Sequence, residues 1–562
     1  MEEQTSVISR RAFFKGAVSV AGAAALAQQA SGLVGAAEAK EISVDSAASD
    51  AQGIKADETV DCDVIVVGAG MAGLCGAIAA AEAGLDVVVL EKLAYTGGTS
   101  SMAEGMFGCQ SQMQLDMGFD ADTDDFFQTI EDYAHWTNNP RICRRWLERA
   151  GETIDWVMDH GVKFRDVLAS WSTVPTWHVY DVRGNQTQAL ADAAQSAGAK
   201  ILTQTPAKQL LLDKDGAACG VVAQDKDGKR IQFNAKAVLL CSGGYSCNRD
   251  MVNTYTGWNY ISPEEENLET GYTTSKGTPE RNGDGILMGM GAGGDTFRLG
   301  AVMADYNEVA GKRVEEANPV RCLVGIVPTL WVNEKAKRFT SEGLIDSFVS
   351  YGESRATQIA SYNILDADFL RQQCDGIICD CSGDAPKGTA FPDGVQTIDE
   401  AVEGDEFMVW KADTIEELAA QMGLDPTALK DTVDHYNAMC EAGKDDEFLK
   451  DPQYLIPVKT APFYGVKTCP IFMCTIGGLR IDENMRVLKD TGDPIKGLYA
   501  CGCDAGGLYG YLYDVFVAAG SQQSFCAVGA RLAVEDVVKT IVNGEDDYVP
   551  AGEDLFPQGA AK

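Results

Sequence analysis

The chain is short of histidine. Its 562 residues hold 4, His135, His160, His178 and His435, at no spacing that builds a metal site. There is no C-x-x-C-H, which excludes covalent haem, and no C-x-x-C pair to found a zinc site or an iron–sulfur cluster. Basic residues are scarce as well: Lys and Arg total 46 against 83 Asp and Glu, a net charge of -37. That balance argues against nucleic acid or an anionic membrane as partner. It leaves a soluble acidic surface, with a basic protein partner as the alternative. A long unbroken hydrophobic run is also missing, since the mild stretch from Gly16 to about Ala37 is interrupted by Gln28 and Gln29 and makes a poor membrane span. With 45% hydrophobic and 23% charged residues, the composition is that of a globular chain with a large core and two or three domains.

Cysteine, by contrast, is plentiful. Of 17 in all, Cys379/Cys381 and Cys501/Cys503 stand as C-x-C pairs and the rest are scattered. We read them as buried free thiols of a protein folded in a reducing cytoplasm, with a disulfide or a cluster gathered from distant cysteines as the alternative. Ser9-Arg10-Arg11-Ala12-Phe13-Phe14-Lys15 is a twin-arginine signature, and Ala37-Glu38-Ala39 offers a small-residue cleavage point. Residues 1–39 are therefore expected to be an export signal that carries a folded protein to the periplasm or cell envelope. Residues 40–59, polar and small, read as a linker.

The chain is organised around residues 61–92. An apolar strand, Val64 to Val67, runs into Gly68-Ala69-Gly70-Met71-Ala72-Gly73, an Ala-rich helix, and a second strand, Val87 to Leu90, that ends on Glu91. In such a unit Gly68 permits the tight turn, Gly70 lets backbone approach a pyrophosphate and Gly73 lets helix and strand pack closely. The helix N-terminus offers unpaired N–H groups to the anion. Glu91, 23 residues past Gly68, is placed to accept from ribose hydroxyls. A second match, Gly289 to Gly294, has no strand before it and reads as helix-end and turn glycines.

Downstream, residues 122–160 carry apolar positions at helical spacing and are expected to form two helices. Asp227-Gly228 predicts a hairpin between Val221-Val222-Ala223 and Ile231-Gln232-Phe233. Lys236 to Cys241 reads as a buried strand opening into Ser242-Gly243-Gly244. Residues 306–469 change character, with mixed charge, short strands (Gly325 to Trp331) and amphipathic helices (Ile415 to Met422, Pro426 to Glu441). From residue 470 the strand-and-glycine style returns. The expected architecture is α/β: a Rossmann-like nucleotide domain built from residues 60–305 and 470–545, an inserted α+β cap over 306–469, and a C-terminal tail over 546–562.

Taken in order, Gly68 to Gly73 with Glu91, Gly97-Gly98-Thr99, Ser242-Gly243-Gly244, Gly283-Asp284-Gly285, Lys337-Arg338-Phe339, Ile476-Gly477-Gly478 and Gly497-Leu498-Tyr499-Ala500 resemble the fumarate reductase/succinate dehydrogenase flavoprotein superfamily. The resemblance runs from about residue 60 to 540 and is strongest to the soluble branch of flavocytochrome-type fumarate reductases, urocanate reductases and 3-ketosteroid dehydrogenases. It implies FAD, with a cap closing over substrate at the flavin. The implied flavin contacts are Gly68, Gly70, Met71, Ala72, Gly73, Glu91, Lys92, Gly97, Gly98, Thr99, Ser100, Ser101, Ala207, Gly243, Asp284, Gly502, Asp504 and Gly520. Leu93-Ala94-Tyr95-Thr96 lacks the histidine that carries covalent flavin, so FAD is expected to be noncovalent. Where relatives place an acidic or amide residue on the ribitol stands Cys503, with Asp504 next to it.

The departures from the family concern the substrate. Asp346 stands where dicarboxylate reductases have their proton-donating arginine, Met473 where they have a histidine, and Tyr513 where they have a second clamping arginine. A dicarboxylate needs fixed, bidentate cations, so fumarate is a poor fit to a site expected to be lined by phenols. Tyr513, supported by Tyr509, is the expected donor to a substrate carbonyl, and Asp346 the expected proton carrier. The alternatives are a half-buried strand for the Y-x-Y-x-Y run and a helix cap for Asp346. We read His178 as a satisfied structural histidine, with a place facing the cap cleft as the alternative. The expected function is an exported FAD-dependent oxidoreductase reducing a C=C bond conjugated to a carbonyl in a bulky, largely apolar substrate. Its electrons would come from a separate carrier such as a small cytochrome c. The alternatives are a ketosteroid-type dehydrogenase running in reverse, a dicarboxylate reductase, and a flavin electron carrier without turnover.

Overall fold

The computed structural model describes residues 48–50, 56–169, 174–256, 281–311, 319–346, 348–376, 388–404, 406–513, 515–546 and 548. All lie in one of the chain's two units, Val44–Lys562. The other unit, Met1–Ser43, lies outside the described residues, and with it the expected signal segment; so do most of the tail and Cys379/Cys381.

Six strands form the central sheet: β1 (Val64–Val67), β2 (Val87–Leu90), β3 (Lys200–Leu202), β4 (Ala237–Leu240), β5 (Arg486–Leu488) and β6 (Pro494–Ala500), in the order β5-β6-β4-β1-β2-β3. All neighbours are parallel except β5, which runs antiparallel to β6. The unbroken apolar runs of β1, β2 and β4 are buried at every position because helices cover both faces of a parallel sheet. Helix α1 (Met71–Glu82) lies against α2 (Ser521–Asp536), 450 residues later in the chain by first residue (521 minus 71). Gly76 is their meeting point: a Cβ there would lie 3.2 Å from Leu239 and 3.6 Å from the Ala530 methyl. The two ends of the sequence thus build one sheet and its cover.

The middle of the chain forms a second, antiparallel sheet of Val302–Val309, Leu330–Asn333, Ser361–Asp366, Val409–Ala412 and Phe463–Thr475. Its longest strand, Phe463–Thr475, has 13 residues and delivers Met473, Cys474 and Thr475 to the edge of the first sheet. Under this sheet Arg338 donates to Glu342 and to Asp445, each at 2.8 Å, and Lys450 stands 3.3 Å from Glu342, all buried. Burial alone would raise the Asp445 carboxyl; its hydrogen bonds from Arg338 and from the Glu447 and Lys450 amides bring it below the usual carboxylate range.

Several local expectations are refined. Residues 122–160 form two helices, Thr123–Tyr133 and Pro140–Asp159, each started by a side-chain cap, Asp122 and Asn139. The hairpin is present, but its turn is wider than the Asp227-Gly228 pair, because Asp225 bridges to Lys229 through both backbone and side chain. Gly325 to Trp331 is not one strand: Arg321–Gly325 is a π-turn and the strand is Leu330–Asn333. The glycines at 289–294 end the helix Asp284–Gly291 and turn the chain, as their missing strand implied.

Candidate active site

The turn between β1 and α1 explains its glycines by distance. At Gly68, φ is +102° and a Cβ would lie 2.4 Å from the Cys241 carbonyl oxygen; at Gly73 a Cβ would lie 1.9 Å from the Gly68 oxygen. Gly70 is different. The nearest atoms to its missing Cβ are 3.7 and 3.8 Å away, and the side left open is the wall of a cavity of about 270 Å³. The N-terminus of α1 carries no side-chain cap from Gly70, and the Met71 amide donates to Ser100 Oγ at 3.2 Å. Glu91, buried at the end of β2, accepts from the Ala69 amide at 2.8 Å and the Leu93 amide at 2.7 Å. It therefore braces the glycine turn as well as edging the cavity.

Along the floor, the loop after β4 meets the loop after β6. Asp504 is fully buried, accepts from the Gly243 amide at 3.0 Å and from Ser242 Oγ at 3.1 Å, and Ser242 Oγ in turn accepts from the Gly285 amide at 2.8 Å. Burial pushes the Asp504 carboxyl up to about 7 against the pull of these hydrogen bonds. Lys92 is paired with Asp284 at 2.9 Å beside this network.

Among the expected flavin contacts, Gly68, Gly70, Met71, Ala72, Glu91, Lys92, Gly98, Thr99, Ser100, Gly243, Gly502 and Gly520 line the cavity. Gly73, Gly97, Ser101, Asp284 and Asp504 do not line it and stand behind or beside it. Ala207 opens the strand Ala207–Leu212 in another sheet and does not line it either. Tyr513 lines the cavity. Tyr509 does not; it packs behind, its ring centroid 4.8 Å from that of Tyr513 and its hydroxyl 2.7 Å from Ser521 Oγ. Tyr511 points outward to Arg298, so the run alternates with period two, yet residues 507–513 form no strand. Asp346 ends the 3₁₀ turn Glu342–Asp346; its side chain lies outside the described residues. His178 is buried with ring nitrogens at Ser111 Oγ (2.6 Å) and the Thr176 carbonyl (3.1 Å), and burial lowers it to about 4: a satisfied structural histidine.

One expectation is overturned. Tyr513 is the one phenol among the described residues that line the cavity, and Arg281 reaches the cavity from the segment before Gly283-Asp284-Gly285 and donates to the Met473 carbonyl at 3.2 Å. Arg281 lies two residues before Gly283 and belongs to no motif of its own. Gln522 and Gln523, on the first turn of α2, also line the cavity and had no signal in the sequence beyond their place after Gly520.

The arrangement fits a flavin dinucleotide: an open glycine at a helix N-terminus for a pyrophosphate, a carboxylate at the strand end, and a slot running on to Tyr513 between two backbone loops. The comparisons with known proteins agree. The model of the FAD binding domain family matches residues 63–514. A vinyl phenol reductase of Lactiplantibacillus plantarum is 34% identical over 461 residues, covering 80% of this chain and 91% of the relative. A urocanate reductase of Eggerthella lenta is 26% identical, over 80% of this chain and 70% of the relative. In fold, the 3-ketosteroid Δ1-dehydrogenase of Sterolibacterium denitrificans superposes with a TM-score of 0.67 at 19% identity, over 85% of this chain and all of that one.

Proposed function

As the chain belongs to the FAD binding domain family, being an FAD-dependent reductase acting on C=C bonds, we propose that its substrate is a bulky, largely apolar alkene conjugated to an oxygen-bearing group, such as an enone or an aryl alkene. The observation that carries this reading is Tyr513, a buried phenol at the cavity wall among Met303, Met473, Trp177 and Val515. Burial pushes that phenol up to about 12, so it remains protonated at neutral pH. Its oxygen accepts from the Gln522 backbone amide at 3.4 Å, and the proposed role is for its hydroxyl to donate to a substrate oxygen. A donor so held stabilises charge that develops on that oxygen as the double bond is reduced. The similarity to a vinyl phenol reductase supports an aromatic substrate in particular.

When bound, FAD supplies the hydride. The chain's share is to hold the dinucleotide noncovalently at the Gly68–Gly73 turn, exclude water beneath the cap, and orient the substrate on Tyr513. Asp346 is our proposed proton carrier to the second carbon. Among the described residues, the cations that line the cavity are Lys92, engaged by Asp284, and Arg281, and these do not make the two-armed clamp a dicarboxylate requires. We further propose export by the twin-arginine segment and a separate electron donor, a small cytochrome c. Purified protein, dithionite-reduced viologen and a panel of vinyl phenols, aryl acrylates, enones and fumarate test the substrate. Viologen oxidation with the aromatic or enone compounds is expected; oxidation with fumarate alone overturns the reading.

A further inference from the structure

Outside the cavity, large aromatic side chains stand exposed on one face. Trp136 is 51% exposed and Tyr511 57%. The segment between the helices Thr123–Tyr133 and Pro140–Asp159 ties them together: the Asn139 amide donates to the Gly507 carbonyl at 2.8 Å and Asn138 Nδ2 to the Leu508 carbonyl at 3.3 Å. Arg298 joins the two segments, since its guanidinium donates to the Thr137 carbonyl at 3.3 Å, bonds the Tyr511 hydroxyl and lies 4.1 Å from the centre of that ring. Trp136 meets Phe127 edge to face, with ring centroids 6.1 Å apart. His135, Trp136 and Arg298 all have left-handed backbone, with φ of +50°, +55° and +50°. Bulky residues in that region must be held there by their surroundings, and such outliers gather at functional sites. Alkene reduction uses none of these residues.

We propose that this face, centred on Trp136, Tyr511 and Arg298, is the docking surface of a small basic electron-carrier protein. It rests on the separate donor proposed above and gives that donor a place. Trp, Tyr and Arg are the residue types that anchor protein interfaces, and exposed aromatic clusters mark them. Charge selects the partner. Residues 120–139 carry Asp120, Asp122, Asp124, Asp125, Glu131 and Asp132 with no Lys or Arg, and all of these carboxylates but Glu131 are exposed. Arg144, 5.5 Å from the centre of the Phe127 ring, is held by Asp124 at 2.5 Å and Glu148 at 3.0 Å, so the rim keeps its negative charge. An aromatic centre with an acidic rim suits a basic partner steered in by charge. Position gives the face its use. Tyr511 and Tyr513 are two residues apart, so their Cα atoms lie within about 7 Å of each other. Tyr511 is exposed while Tyr513 lines the cavity, which makes the face and the cavity wall two sides of one short segment. Two carriers docking in turn each lose one electron, and those two electrons with two protons from water are what saturates one double bond.

The flavin-loaded protein is photoreduced and mixed by stopped flow with a ferric basic cytochrome c, which carries electrons outward through the same face. Trp136→Gly, which suits the left-handed backbone, and Tyr511→Ala are each expected to lower the second-order rate constant about tenfold or more. Asp125→Lys combined with Asp132→Lys is expected to slow the reaction at low salt and to flatten its salt dependence. All three variants are expected to keep wild-type flavin content and wild-type reduction of the flavin by viologen, which reports an intact fold and cavity. Ile359→Ser, at a side chain 91% exposed in the middle part of the chain, is expected to react with cytochrome c as wild type does. Wild-type rates in both aromatic variants overturn this proposal while a separate donor still stands, docked elsewhere. No transfer between the wild type and cytochrome c overturns both readings. A dimer that comes apart in Trp136→Gly assigns the face to a second copy of the chain and overturns the proposal as well.

Discussion

The most informative single atom in the cavity is the Tyr513 hydroxyl, because its oxygen is satisfied from the protein side while its ring is braced by Tyr509. Tyr513→Phe keeps the ring and that brace and removes only the donor. Loss of one oxyanion-type donor costs ~10²–10³ in kcat, so that fall is expected in viologen-linked turnover with flavin content unchanged. A second residue reports on pH. Asp504 is fully buried and its carboxyl sits at about 7 in the fold, above an unfolded value near 3.8. The folded state therefore holds a proton that the unfolded chain has already released, and the contribution of this group to stability falls as pH rises from about 4 to about 7. The slope is about 1.4 kcal/mol per pH unit at most. In the apoprotein, Asp504→Asn is expected to flatten this part of the stability–pH curve, measured as the difference in urea midpoints between wild type and variant. Identical curves would mean that the carboxylate is already ionised in place.

At the scale of elements, the β1–turn–α1 unit separates glycines that shape the protein from the one that faces the ligand. Gly73→Ala puts a methyl 1.9 Å from the Gly68 oxygen, a clash with backbone that cannot rotate away, and is expected to cost more than the ~1–3 kcal/mol of ordinary overpacking. Gly70→Ala meets nothing nearer than 3.7 Å, so the apoprotein should melt as wild type while FAD affinity drops, read by ultrafiltration and flavin fluorescence. This unit was legible in sequence because each constraint is local: apolar runs, a turn, a helix and an acid within 32 residues, counting 61–92. The capped helices at 123–159 were legible for the same reason. The rest depended on distant partners. Cys474 and Gln522 reach the cavity only because the strand Phe463–Thr475 and the helix α2 fold back to it, and Arg281, ahead of Asp284–Gly291, meets the Met473 carbonyl there; no periodicity within these segments announces that. Gly325 to Trp331 failed as a strand since a short apolar run fits a buried turn equally well.

At the scale of the whole molecule, the 83 acidic against 46 basic residues bear on the proposed delivery of electrons by a separate carrier. A net charge of -37 is too large to be balanced locally, so an approaching carrier meets a negative field before it meets any particular surface. Such a field speeds encounter with a basic protein and slows it with an acidic one, while the interior chemistry is untouched. Salt separates the two contributions, because the Debye length shrinks from about 30 Å at 0.01 M to about 8 Å at 0.15 M. If the donor is a small basic cytochrome c, reduction of the bound flavin by it should slow by about tenfold or more across that range, while reduction by a small neutral dye changes little. Stopped-flow absorbance of the flavin follows both. An acidic cytochrome c of the same size should show the opposite salt dependence, and a rate with the basic carrier that is flat in salt would remove surface charge from the account of electron delivery.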